Sequence, residues 1–559
     1  MESTSIALIL LLAVVVSGFI ARVSHLPAPL VQLALGAAIY WAGLNSAVLD
    51  PELFFLLFLP PLLFLDGWRL PKDALARDAT TILKLALGLV VFTVLGMGLF
   101  IHWLLPVMPL AVAFALAAVI APTDPIAVSA IARRSPVPRR LMHILQGEAL
   151  LNDASGLVCL RFAVAAALTG SFSLGGALAS FAGVAAGGLA IGAGSTWLVA
   201  RVASRTTAHA GQDGGAQILV TLLIPFGVYL LAERLHCSGI LAAVAAGVTM
   251  SVTDAWPWRA TTRLRRAAVW DTVQLAANGT IFVLLGEQLP ALLADAPATV
   301  QTTGHQNPWW LAGYTLLILA ALATLRFGWV WMSLRTAARR AATLGARAAA
   351  NLATQPATGP VTSACTPVAP AGAPLLHNWR VVMVTTLAGV RGAVTLAGVM
   401  TLPLALRPGV AFPARDLAVL LAAGVIVLSM VLASIALPGL LRGLDWPAEP
   451  LPPAVEDDTR RAAAEAGARA IETEPAEDAA SADVAARLVT AYRDRLARHA
   501  AAGPAQRHAH RDIERQLRLV GLRAERAEVL RYGRSHGVDQ LALLRIIREL
   551  DFEEARYSE

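Results

Sequence analysis

Gly147-Glu148-Ala149-Leu150-Leu151-Asn152-Asp153 lies inside an apolar run of about residues 141–169. An ionised carboxylate at the centre of a bilayer costs between ~2.5 kcal/mol and several times that. A run holding two of them beside an asparagine therefore needs a compensating partner or a use. One run upstream, Pro122-Thr123-Asp124-Pro125 interrupts a second apolar stretch, about 109–132. Each proline deletes one helical hydrogen bond and collides with the carbonyl four residues back. The oxygens of Ala118 and Ala121 are freed, and hydrocarbon offers them no donor. A helix unwound there, facing a watery cavity, presents carbonyl oxygens, the Thr123 hydroxyl and the Asp124 carboxylate. Those are ligands for a hard monovalent cation, and broken helices near the midplane mark the binding sites of secondary transporters.

The rest of the chain fits that setting. Its 559 residues are 57% hydrophobic and only 15% charged, too apolar for a soluble enzyme. Windows of span length fall at about 5–22, 28–45, 51–65, 79–104, 109–132, 141–169, 174–200, 216–233, 238–253, 269–290, 309–334, 379–404 and 416–441. The third and ninth are short. The first lacks a basic n-region and a small-residue cleavage site, and reads as a span rather than a leader. With the N-terminus outside, the inner loops carry eighteen Arg and Lys, the outer loops only Arg234, Arg407 and Arg415. That is the bias of a chain whose C-terminus is cytoplasmic. The net charge of +7 belongs mainly to those inner loops, so it points to anionic headgroups rather than nucleic acid. Cys159, Cys237 and Cys365 have no metal or redox spacing. Residues 341–374 read as a disordered inner loop. From 442 to 559 the chain is a polar tail with helical periodicity and a candidate regulatory role.

Counting depth at ~1.5 Å per residue, Asp153 lies about 18 Å from the inner surface and Asp124 about 12 Å. Glu148 and Arg326 fall at matching depth with opposite charge, which suits a buried pair. In the twelfth window, Ala388-Gly389-Val390-Arg391-Gly392-Ala393 sets an arginine between two glycines at the level of Asp153. Two readings stand for Arg391: a counter-charge for the empty cavity, or a helix tie. Asn152 is a ligand neighbour or a structural amide. Asp66, after Phe58-Leu-Pro-Pro-Leu-Leu-Phe-Leu65, is a ligand or an interfacial acid. Windows 5 and 12 run in opposite directions at equivalent places if 1–6 and 8–13 are inverted repeats.

At these residues the chain resembles the sodium/proton exchangers of the monovalent cation:proton antiporter-1 family, in their NhaP-like prokaryotic branch. The similarity is carried by Phe58-Leu-Pro-Pro-Leu-Leu-Phe64, Ala121-Pro-Thr-Asp-Pro125, Gly147-Glu-Ala-Leu-Leu-Asn-Asp153, Phe282-Val-Leu-Leu-Gly286 and Gly389-Val-Arg-Gly-Ala393, over about residues 5–441. The fold expected is all-α and polytopic, with about thirteen spans, crossing broken helices 5 and 12, and a helical cytosolic tail. The resemblance implies a homodimer in a prokaryotic plasma membrane that exchanges one cytoplasmic Na⁺ for one H⁺. It implies no cofactor and no enzymatic reaction. Asp153 would be the shared carrier, with Thr123 and Asp124 completing the metal site for the monovalent cation. Asn152 would neighbour the carrier, Glu148 would pair with Arg326, and Asp66 stands where relatives place an acidic ligand. Relatives often carry Ser after the Glu of the sixth-span motif; here it is Ala149. Alternatives to Na⁺ exchange are K⁺ or Li⁺ exchange by the same mechanism, and a passive channel. A channel wants a continuous pore with symmetric filter repeats, which the sequence lacks. An intramembrane aspartyl protease lacks its Gly-x-Gly-Asp motif here.

Overall fold

The computed structural model describes residues 2–24, 26–43, 51–69, 84–124, 139–169, 174–210, 213–253, 260–301, 303–353, 379–403, 405–407, 410–442, 453–473, 479–501, 504–536 and 540–558. Each of the thirteen apolar windows falls on helix. In chain order these are α1 (Glu2–Ser24), α2 (Ala28–Trp41), α3 (Pro51–Arg69), α4 (Val90–Leu104, led by a π-helical turn Lys84–Leu89), α5 (Leu110–Ile120), α6 (Arg139–Thr169) and α7 (Leu174–Ala210). They continue as α8 (Gly214–Arg234), α9 (Gly239–Thr253), α10 (Ala260–Gln301), α11 (Trp309–Ala353), α12 in two pieces (α12a, Trp379–Leu387; α12b, Ala393–Met400) and α13 (Arg415–Leu441). Seven of them, α1, α4, α7, α8, α10, α11 and α13, are long and apolar enough to cross a membrane; α2, α5, α9 and the second half of α6 are apolar but shorter.

The outward faces are apolar where a soluble protein would be polar. Leu8, Phe19, Val23, Leu95, Leu198, Leu223 and Ile435 are all exposed, as lipid contact demands. Four exposed tryptophans sit at helix ends: Trp41 and Trp103 near the ends of α2 and α4, and Trp309 and Trp379 at the starts of α11 and α12a. That is the placement of an interfacial aromatic belt. The interior is built of small and branched residues, with Val112, Ala113, Ala115, Leu116, Ala117 and Ala118 enclosing most of α5.

The packing carries the inverted repeat. If α1–α6 correspond to α8–α13, then α2 matches α9 and α3 matches α10. The packed pairs α2–α10 and α3–α9 exchange under that correspondence. Both pairs are glycine crossings with the same local register. A Cβ on Gly36 would strike the carbonyl of Val283, three residues before Gly286, and one on Gly286 would strike the carbonyl of Leu33, three before Gly36. In the other pair, Gly67 faces the carbonyl of Val244 and Gly247 that of Phe64, again three residues before the partner glycine. α7 stands outside the repeats and packs on α9.

Three local features depart from the sequence expectation. α11 runs on to Ala353, into the stretch 341–374 expected to be disordered. Its Ala-Ala-Thr-Leu-Gly-Ala-Arg-Ala-Ala-Ala350 composition is mostly alanine, the best helix former, and residues 354–378 lie outside the described residues. α5 ends at Ile120, at the break expected before Pro122 and short of its window's edge; residues 125–138, which include Pro125, Arg133 and Arg134, also lie outside. Between α12b and α13 a small antiparallel ribbon forms from β1 (Ala405–Arg407) and β2 (Val410–Ala411), pairing Ala405 with Ala411 and Arg407 with Val410.

The chain divides into two compact units, Met1–Trp446 and Pro447–Glu559. The second is helical: α14 (Pro453–Thr473), α15 (Ala479–Ala501), α16 (Pro504–His536) and α17 (Gln540–Ser558). α14 packs on α15, where Tyr492 lies against Gly467 and Arg493 pairs with Glu472 at 2.6 Å. α16 packs on α17.

Candidate cation site

α5 stops at its first proline because Pro122 has no amide to continue the ladder. Residues 122–124 leave the helix, and Asp124 donates its backbone N–H to the carbonyl of Val390 at 2.7 Å. Val390 lies in the break of α12, between the glycines. The two interrupted helices therefore cross at their interruptions, each supplying a backbone partner that the other needs. Arg391 completes the exchange: its Nε donates to the carbonyl of Ile120, the last residue of α5, at 2.8 Å. It also donates through Nη1 to the carbonyl of Gly389, and its own amide donates to Ser429 Oγ of α13 at 3.3 Å.

Charges sit where the helix ends want them. A helix C-terminus carries partial negative charge and an N-terminus partial positive charge. Arg391 lies at the C-terminus of α5 and at the end of α12a. Asp124 lies at the N-terminus of α12b, where Gly392 is the cap residue. A Cβ on Gly392 would overlap the Asp124 carboxylate, so only glycine admits the acid there. Gly156 does the same for α6, since a Cβ on it would strike Pro122. That contact brings the break beside the turn of α6 that carries Asp153.

Glu148, Asn152 and Asp153 are all buried on α6. Glu148 accepts two hydrogen bonds from Arg326 of α11, Nη1 to Oε1 at 2.6 Å and Nη2 to Oε2 at 3.0 Å. Arg326 Nε donates onward to the carbonyl of Thr385 at the end of α12a, 3.3 Å away. Thr123 Oγ1 donates to Glu148 Oε1 at 3.4 Å and accepts from Asn152 Nδ2 at 2.9 Å. A buried pair of this kind is held by complete hydrogen bonding more than by charge alone.

One polar atom in this network is left over. Among the described residues, Asn152 Oδ1 is buried with no hydrogen-bond partner. A buried orphan acceptor calls for an explanation, and it stands next in sequence to Asp153. Asp66 of α3 and Asp124 lie near enough to Asp153 for their charges to act on it. The three acids surround a region without converging on one point: among the described residues no group of three or more His, Cys, Asp or Glu is placed to hold a metal ion together. Ala149, buried beside Glu148, contributes no oxygen.

The residues singled out from sequence are thus brought together, with Glu148–Arg326 as one bidentate pair and Arg391 tied to carbonyls. Sequence reasoning passed over the carbonyls of Ile120, Val390 and Thr385, the role of Gly392 and the hydroxyl of Ser429. The two glycines around Arg391 were visible signals, read only as weak points in a helix. Ser429, a lone hydroxyl in an apolar run, was another.

Comparison with known proteins finds relatives along most of the chain. A family profile described as "Sodium/hydrogen exchanger, transmembrane" matches residues 7–443. The chain is 38% identical to a protein of Escherichia coli (strain K12) described as an uncharacterized Na(+)/H(+) exchanger, YjcE, over 99% of each chain. It is 37% identical to a sodium, potassium, lithium and rubidium/H(+) antiporter of Bacillus pumilus (strain SAFR-032), covering 96% of this chain and 75% of that one. Among solved structures, the sodium proton antiporter MjNhaP1 from Methanocaldococcus jannaschii is similar in fold. Its TM-score is 0.53 at 19% identity, over 79% of this chain and 99% of that one.

Proposed function

The chain belongs to the sodium/hydrogen exchanger family, and on that premise we propose that it exchanges cytoplasmic Na⁺ for external H⁺, one for one, with Asp153 as the shared carrier. The observation that carries the reading is the orphan acceptor Asn152 Oδ1 beside the buried Asp153, at the crossing of two open helices. Such an oxygen is without use in an apolar bundle but is a ready cation ligand. Thr123 and Asp124 supply further oxygens, and Asp66 faces the same region from α3. Arg391 and Glu148–Arg326 neutralise and brace the crossing without binding the ion.

The cycle needs few parts. The cation enters from the cytoplasm and displaces the proton from Asp153. The core of α4–α6 and α11–α13 then moves against a scaffold of α1–α3 and α8–α10, and the ion leaves on the far side, where Asp153 takes a proton for the return. Only one carrier titrates, because its neighbour is Asn152, an amide without a titrating proton. Asp124 faces the α12b N-terminus, whose positive end favours the anion in both halves of the cycle. We further infer a homodimer in a prokaryotic plasma membrane, with the N-terminus outside, residues 442–559 cytoplasmic, and no cofactor.

A broader cation range is favoured by one observation. Ala149 removes a hydroxyl from the shell, so water and backbone oxygens complete it, and a shell with fewer fixed oxygens discriminates ions less by size. The Bacillus relative is described as acting on sodium, potassium, lithium and rubidium. Purified protein in acid-loaded liposomes tests both points. Dissipation of the pH gradient is expected on adding Na⁺, and with a shallow preference on adding K⁺ or Li⁺. Asp153→Asn is expected to abolish the response to each cation while leaving the protein folded and inserted. Normal exchange by that variant would remove Asp153 from the carrier role.

A further inference from the structure

α16 in the tail has two unlike faces. One is buried: Leu522 is packed, Arg526 pairs with Asp551 and Glu554 of α17, and Arg515 Nε donates to the carbonyl of Tyr557 at 2.7 Å. The opposite face carries Ile513, Leu517 and Val520, exposed by 55%, 67% and 62%. The stripe continues through exposed Ala524 and Ala527. The steps between these positions alternate four and three residues. That is the spacing of one apolar helix face, and over these two heptads it fits the seam of a two-stranded coiled coil.

We propose that this stripe is a docking surface for the same stripe of a second copy of the chain, the two helices running parallel and in register. Ile513, Leu517, Val520, Ala524 and Ala527 then form the seam. The flanking charges fit that arrangement. In a parallel pair, the residue just before one seam position meets, across the seam, the partner residue five further on. Arg523 therefore meets Glu528 of the second copy, and the two-fold axis repeats the contact. Glu528 is present as the anion: Arg531 donates to both its oxygens, at 2.8 and 2.7 Å, and holds its carboxyl below the usual range. The other flanking contact among the described residues, Gln516 with Gly521, places no like charges together. The seam is short, and an isolated helix of this length is marginal. On the homodimer inferred above, on which this proposal rests, the two tails are tethered to adjacent membrane domains, which raises their mutual concentration.

The test uses the full chain in liposomes with Cys159, Cys237 and Cys365 replaced by Ser. In a parallel pair each seam residue faces its own counterpart, so Leu517→Cys is expected to form an intermolecular disulfide on mild oxidation. Arg518→Cys, one residue round the helix and away from the seam, is expected to cross-link at least about tenfold more slowly. Adding Arg523→Glu to Leu517→Cys is expected to slow cross-linking severalfold, and adding Glu528→Arg as well to restore it. Equal rates at 517 and 518, no disulfide at 517, or failure of the charge exchange to restore it would each overturn the proposal. So would quenching of a fluorophore at position 517 by brominated lipid, which would put the stripe on the bilayer.

Discussion

Glu148 has two jobs for one carboxylate: it answers Arg326 with both oxygens and takes the Thr123 hydroxyl on one of them. Removing either member of a buried pair strands the other, at about 3–5 kcal/mol. Glu148→Ala and Arg326→Ala are therefore each expected to lower stability by about that much, read as a fall in melting temperature in detergent. The double replacement Glu148→Leu with Arg326→Met is expected to recover most of it. What remains is a Thr123 hydroxyl without its acceptor, about 1–3 kcal/mol. Strictly additive losses would mean that the two side chains do not support each other. At this scale the sequence was informative because the cost of burying charge leaves few innocent explanations for Glu148, Arg326 or Asp153. It was silent on who donates to whom. Nothing in the order of residues says that Arg391 turns to the carbonyls of Ile120 and Gly389.

The broken helix is the element on which the site depends, and its two halves make different demands on their glycines. Gly392 has no room for a methyl group because the Asp124 carboxylate occupies it, whereas at Gly398 on α12b the nearest neighbour of a Cβ, Val119, stands at an ordinary 3.4 Å. Gly392→Ala is expected to cost about 1–3 kcal/mol by overpacking and to suppress exchange. Gly398→Ala, inside a helix, is expected to gain about 0.5–1 kcal/mol and to leave exchange intact. Thermal melts and proton-gradient assays on both variants check the contrast, and a like response at the two positions would contradict it. The elements themselves were readable in sequence, because span length is set by the bilayer and each apolar window carries helix among the described residues. The crossing was not. It joins Asp124 to Val390 through backbone groups, which every residue possesses and no composition reveals. The extension of α11 to Ala353 was missed for a plainer reason: an Ala/Thr/Pro-rich stretch without clear patterning was read as disorder where its alanine content favours helix.

For the whole molecule, the decisive quantity is the charge moved per cycle. On the one-carrier cycle proposed above, the carrier holds either a proton or a monovalent cation and crosses with the same charge each way. A potassium diffusion potential of either sign, imposed across liposomes at fixed pH gradient, is expected to leave the rate of Na⁺-dependent exchange unchanged. A clear acceleration by either sign would require a second carrier and would make Asp124 or Asp66 the one to examine. The pseudo-symmetry was legible only as the opposite direction of two windows; the matched glycine crossings appeared once α2 met α10 and α3 met α9. The clasp between the repeats also has a meaning during biosynthesis. The carbonyl of Ile120 waits for a donor 271 residues further along the chain. At 5–20 residues per second, the ribosome takes roughly 14 to 54 s to deliver it. For that interval the first repeat sits in the membrane with an open helix end and no arginine to close it. The nascent half-protein therefore depends on water, lipid headgroups or the insertion machinery to hold its break, and the exchanger becomes a finished object only when its twelfth span is threaded in.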